Sequence, residues 1–192
     1  MAIRDTANRY GGVSQALHWG SALLIAAAWT LGVTMEELPR GSARAAGLDL
    51  HATLGLLLVG AVLARLLWRA ANPKPGQDSG WAGLAARGMH LALYAVMLAV
   101  PLAGLADRWA RGRGVSVFLG AVTLDAPFTI PGGKAWGEVH EITANLLLVL
   151  IALHVAAALF HHLVLRDGLL RRMLPGRRDR QLIDTPAWRS GG

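Results

Sequence analysis

Four apolar stretches alternate with short polar connections along this chain, and each is long enough to cross a bilayer as a helix. They cover roughly residues 15–35, 48–71, 85–106 and 138–165. The second closes on Arg65-Leu66-Leu67-Trp68-Arg69. It is stopped by Asn72-Pro73-Lys74-Pro75-Gly76, because proline has no N–H to continue a helix. Pro101 is expected to kink or end the third. For the first stretch a cleaved signal peptide competes, with Ala43-Arg44-Ala45 as a loose cleavage site. The apolar run is too long and the site too distant for that, so a membrane span is preferred. Glu36 to Gly47 reads as a short loop. The longest connection, Asp107 to Gly137, is rich in Gly and Pro. For its Val115–Leu124 segment two readings stand, a strip on the membrane surface and a short hairpin. The pattern predicts an all-α membrane protein, a four-transmembrane-helix bundle over residues 1–175 with a basic tail at 176–192.

Composition supports this. Hydrophobic residues make up 54% of the chain, charged residues only 16%, and mean hydropathy is +0.40, too apolar for an ordinary soluble domain. The seven Trp suit membrane interfaces. The net charge of +7 lies beside apolar spans, so anionic lipid explains it more simply than nucleic acid, and no nucleic-acid partner is expected. The chain has no cysteine, which excludes disulfides, thiolate-held iron–sulfur clusters, zinc–thiolate sites and covalently attached c-type haem. With both termini on one side, that side receives 13 of the 19 Lys and Arg, which predicts cytoplasmic termini.

Against this background the histidines stand out, because ionisable residues inside spans usually mark function. His140 and His154 lie 14 residues apart in the fourth span, on one helix face within about 40° and separated by about 21 Å along the axis. His51 enters the second span at the outer margin, as His140 does. His18 opens the first span at the inner margin, towards which His154 descends. Depth alone pairs His51 with His140 and His18 with His154. Two imidazoles per level match a bis-histidine haem, closing the iron to oxygen and favouring electron transfer.

Several residues cluster around this scheme. Arg65, 14 residues after His51, shares its face and lies near the depth of His154, where it is a candidate partner for a haem propionate. Gly55 and Ala144, one turn beyond His51 and His140, leave room for a flat macrocycle, and Trp19 fits the interfacial belt. His161, seven residues after His154, is a candidate for a propionate or a quinone, with a solvated histidine as the plain alternative; His162 is read as interfacial. Arg87, His90, Tyr94 and Met97 form a stripe on the third span, read chiefly as its inward face, with contact of His90 or Tyr94 to a cofactor or substrate as the alternative. Arg108, Arg111 and Arg113 carry two readings, attraction of an anion and a solvated loop, of which the loop is favoured, and outer acids such as Asp49, Asp107 and Asp125 keep that side from being strongly positive. No catalytic residue is assigned.

The segments Leu17-His18-Trp19, His51 with the leucine-rich helix ending RLLWR, HLALYAVMLAVPLAG, and HEITANLLLVLIALHVAAALFHHLVLRDGLLRRML together resemble bacterial cytochrome b561 over about residues 9–175. The resemblance implies an inner-membrane bundle holding two b haems, with His18 and His154 on the inner iron and His51 and His140 on the outer. It implies electron exchange with ubiquinone, and at least one branch oxidises superoxide at the outer face. Three functions follow as expectations: an electron carrier with quinone as a partner, a superoxide:ubiquinone oxidoreductase, and the membrane-anchor cytochrome b subunit of a larger dehydrogenase or hydrogenase that docks a redox protein.

Overall fold

The computed structural model describes residues 3–6, 9–35, 37–72 and 80–174. The basic tail and most of the 72–76 stop signal lie outside them. Four long helices dominate: α1 (Gly12–Thr34), α2 (Ser42–Ala71), α3 (Trp81–Ala110) and α4 (Ala135–Phe160). All four are long and apolar enough to cross a membrane, α4 together with the π-helical turn His161–Leu165 that extends it. A short helix, α5 (Leu169–Met173), follows.

The helices overrun the apolar windows because a helix continues into the interface, where hydropathy no longer marks it. Helix α2 starts at Ser42, so the loop expected over 36–47 is shorter. Helix α3 runs through Pro101 to Ala110, so the proline does not end it. Gly112, at φ 66°, then turns the chain sharply, its N–H bonded to the Trp109 carbonyl at 2.9 Å. At the far end of α4, Arg166 and Gly168 both adopt left-handed φ and break the helix before α5.

Helix α1 packs on α2, α2 on α3, and α3 on α4; among the long helices α4 packs its backbone closely only on α3. The buried core is a single layer, Leu58 and Val62 of α2, Leu93 and Met97 of α3, and Leu147 of α4. Leu58 is seven residues after His51, and Leu147 is midway between His140 and His154. The apolar layer therefore lies about 10 Å from each histidine level. Many leucines elsewhere on the helices are exposed, as a lipid-facing surface requires.

The two ends of the bundle differ. At one, the N-terminal segment and α5 are laced together: Tyr10 N–H and Gln15 Nε2 donate to the Arg172 carbonyl at 3.3 and 3.5 Å, and Trp19 Nε1 to that of Met173 at 3.1 Å. At the other, the Val115–Leu124 segment forms a hairpin, β1 (Val115–Val117) antiparallel to β2 (Val122–Leu124), with Val117 opposite Val122. Of the two readings for this segment, the hairpin holds. Its anchor is Asp49 of α2, only 7% exposed, whose carboxylate accepts from Ser116 Oγ (2.6 Å), Leu119 N (2.8 Å) and Gly120 N (3.0 Å). Thr53 Oγ1 accepts from Phe118 N at 2.8 Å. Phe118, Leu119 and Gly120 all have positive φ; the Leu119 and Gly120 N–H groups thereby turn toward one carboxylate, which offsets the cost of left-handed backbone.

Candidate functional site

Histidines meet at both ends of the bundle. At the hairpin end the rings of His51 (α2) and His140 (α4) face each other with centroids 6.0 Å apart; at the termini end those of His18 (α1) and His154 (α4) are 6.3 Å apart. Each pair draws one ring from α4 and one from a helix that does not pack closely against it, so space remains between the two backbones.

The hairpin-end pair is held in one particular way twice over. His51 Nδ1 lies 2.9 Å from the Ala28 carbonyl of α1, and His140 Nδ1 lies 2.8 Å from the Val100 carbonyl of α3. A carbonyl only accepts, so each Nδ1 carries the proton and each Nε2 keeps a free lone pair, the tautomer a metal needs. Four residues after each carbonyl comes a glycine. A Cβ on Gly32 would stand 3.2 Å from His51 Cε1, and one on Gly104 only 2.9 Å from His140 Nδ1. Any larger residue would push the ring off its carbonyl. Gly55 behaves differently from the expectation that it makes room for a macrocycle: its missing side chain faces Pro101 of α3 at ordinary contact distance, 3.5 Å.

The termini-end level is more crowded. His90 of α3 brings a third imidazole, 5.7 Å from that of His154. Arg65 does not stand free. Its guanidinium lies 3.3 Å from His18 Nδ1 and 5.3 Å over the Tyr94 ring. Arginine only donates, so His18 accepts at Nδ1 and its proton sits on Nε2, opposite to the arrangement at the hairpin end. Trp19, partly exposed at the same end, meets the His18 ring edge-on at 5.2 Å and donates from Nε1 to the Met173 carbonyl of α5. His161 sits in the π turn with Nδ1 bonded to the Asp167 carboxylate. That bond holds the Asp167 carboxyl below its ordinary range, helped by the Leu169 N–H. No side-chain contact for His162 or Arg87 bears on the site.

The donor set fits haem. Two metal–nitrogen bonds of about 2 Å, with each ring centre roughly 1 Å beyond its nitrogen, give about 6 Å between centroids. Both pairs show that separation. Among the described residues no three His or acidic side chains gather into a cage for a bare ion. Half-buried donors without an acid nearby, Arg65 and the His90 ring, suit a group that brings its own carboxylates.

At the hairpin end a cleft of about 590 Å³ opens between the ends of α1, α2 and α3, and it collects Arg40 and Arg44 with Arg108, Arg111 and Arg113. For the last three the sequence favours a solvated loop over attraction of an anion, on a side without strong net positive charge. The fold concentrates all five around one space, while Asp49 is taken up by the hairpin and Asp107 by Arg111, whose Nε lies 2.8 Å away.

Apolar helices of spanning length with imidazoles paired at two levels define a multi-pass membrane protein built to carry a metal cofactor between helices. The model of the prokaryotic cytochrome b561 family matches residues 9–176. Cytochrome b561 homolog 2 of Escherichia coli (strain K12) is 36% identical over 183 residues, covering 91% of this chain and 95% of that protein. Cytochrome b561 homolog 1 of the same organism is 32% identical over 178 residues, covering 89% and 99%. Probable superoxide oxidase CybB of Yersinia pestis is 28% identical over 180 residues, covering 88% and 98%. The likeness thus spans whole proteins and not a shared fragment. The chain belongs to the prokaryotic cytochrome b561 family, membrane electron-transfer proteins of the b type, whose cofactor is haem b.

Proposed function

We propose that this protein moves single electrons across a bacterial inner membrane between a donor at the hairpin face and ubiquinone, using two haems, one held by His51 and His140 and the other by His18 and His154. The observation that carries the reading is the facing of two imidazole pairs about 6 Å apart, each with one member on α4. The bias of Lys and Arg toward the segments expected on the side of the termini supports a cytoplasmic position for that side. Residues 1–175 then act as one domain.

Bound haem supplies the one-electron chemistry, and two such centres suit a partner that takes electrons in pairs. The chain's own residues set the rest. Ala28 and Val100 orient the hairpin-end rings and hold a proton on each Nδ1. At the other level Arg65, 3.3 Å from His18 Nδ1, would hold a propionate, and His18 with its proton on Nδ1 would offer Nε2 to the iron. His90 supplies a second donor beside it. His161, backed by Asp167, stands nearer the cytoplasm, where a quinone needs a proton donor as it is reduced. Superoxide fits as the hairpin-face donor: the arginine-lined cleft, at the same end of the bundle as His51 and His140, attracts a small anion, and one similar protein is named a probable superoxide oxidase.

The test is haem quantification with reduced-minus-oxidised spectra on His18→Ala, His51→Ala, His140→Ala and His154→Ala. Two spectral classes are expected, one for His51 and His140, the other for His18 and His154. Unchanged haem content in any variant removes that residue from the ligand set, and a stably folded wild type without haem ends the proposal. Rapid haem reduction on mixing with superoxide, then reoxidation by quinone, tests the donor; haem that stays oxidised excludes superoxide.

A further inference from the structure

The cleft at the hairpin end is far larger than a two-atom anion requires. Its volume of about 590 Å³ falls in the range of small-molecule sites, roughly 300–1,000 Å³. A diatomic species occupies something like the ~30 Å³ of one water molecule. Its charge is also in excess. Five guanidinium groups line it against one carboxylate, Asp107, and that carboxylate is already bonded to Arg111. Among the described residues Arg40, Arg44 and Arg113 have no acid within ion-pair distance. Arg108 donates to the Gly114 carbonyl at 3.3 Å, yet its Nε is buried with no acceptor. Asp125 lines the adjoining cleft that shares Arg108 but forms no ion pair with it.

A second source of positive potential converges on the same space. Helix α2 begins there, with Gly41, Arg44 and Ala45 on the wall. Its N-cap, Gly41, makes no side-chain cap bond, and its first turn holds no acidic residue. The first N–H groups of a 30-residue helix therefore have no helical acceptor, and the positive end of its dipole is not offset. An uncapped helix start combined with several arginines is suited to a tetrahedral oxyanion of more than one charge, which needs many donors from different directions. The walls also include Met35 and Leu48, apolar surface that a bare inorganic ion does not use.

We infer that this cleft binds a phosphate-bearing ligand, with the phosphate held by Arg40, Arg44 and Arg108 at the start of α2 and an organic remainder against Met35 and Leu48. The same chemistry is offered by a phospholipid headgroup of the adjoining leaflet and by a soluble phosphate ester, and it does not depend on what reduces the haems.

The experiment uses the haem-loaded full chain in a phosphate-free maltoside detergent. Titration calorimetry with inorganic phosphate and with glycerol 3-phosphate probes the soluble source. Native mass spectrometry with dioleoyl phosphatidylglycerol, against dioleoylglycerol of the same chains without phosphate, probes the lipid. Saturable binding is expected in at least one arm, and the arm identifies the source. Arg44→Gln and Arg40→Gln, both at exposed positions, should each weaken it about tenfold or more, as loss of a charge-assisted contact does. Lys134→Gln, outside the cleft, should change it less than about twofold. Haem spectra serve as the check on folding. No saturable binding in either arm, or equal weakening by Lys134→Gln, overturns the inference. Haem reduction by superoxide is measured separately, so either idea can fail alone.

Discussion

Replacing Gly104 with alanine is expected to strip affinity from the hairpin-end haem while leaving the fold nearly as stable. The added Cβ would sit 2.9 Å from His140 Nδ1, where ordinary contact begins near 3.4 Å, so the ring must retreat by at least about half an ångström. That retreat lengthens the 2.8 Å bond from Nδ1 to the Val100 carbonyl past good geometry. A neutral hydrogen bond contributes about 1 kcal/mol net, and alanine in place of glycine within a helix returns about 0.8–1 kcal/mol, so the melting temperature barely moves. Metal affinity does not enjoy that offset. Losing the group that orients a ligating histidine typically costs about 10–100-fold. Gly32→Ala meets His51 Cε1 at 3.2 Å and has a smaller effect, while Gly60→Ala, with nothing within 4 Å, has none. Haem per chain, measured while free haem is competed away, and the low-spin ferric resonance signals give the order Gly104, then Gly32, then Gly60. An unchanged Gly104→Ala, or a Gly60→Ala that loses haem as readily, refutes the reasoning.

Other consequences can be checked alongside. Arg65→Met removes a buried cation beside His18 and is expected to lower the midpoint potential of the termini-end haem by on the order of tens of millivolts, because the ferrous state loses a favourable charge; potentiometric titration showing no change or a rise would contradict it. Asp49→Asn leaves too few acceptors for Ser116, Leu119 and Gly120, so amide exchange across 115–124 should quicken at least about tenfold with haem content retained; protection equal to wild type would mean that the hairpin is held otherwise. The Asp167 carboxyl is held below its ordinary 3.8, first by the hydrogen bond from His161, so what it contributes to stability is complete above that value and fades as pH falls through the lowered one. The gap between wild-type and Asp167→Asn melting curves should therefore close in acid below about pH 4. A gap that stays fully open there would reverse the assignment.

The sequence by itself determined the four apolar spans and the end of the bundle at which each paired histidine lies. All of these follow from local quantities: apolar run length against bilayer thickness, 3.6 residues per turn, and the order in which spans alternate direction. Fourteen residues between His140 and His154 put both on one face whatever else the chain does. Rotation and register between helices are not local, and they decided the rest. Nothing near Gly104 in the chain announces that His140 will lie against it, although the spacing of Val100 and Gly104, like that of Ala28 and Gly32, is visible once the rings are placed. His90 joined His154 because α3 turns that side of its stripe toward α4. Asp49 looked like one more surface acid until the hairpin, some seventy residues later, delivered three donors to it. The positive cleft needed the end of α3 to arrive beside the start of α2, so charges that look scattered along the chain add up only in three dimensions.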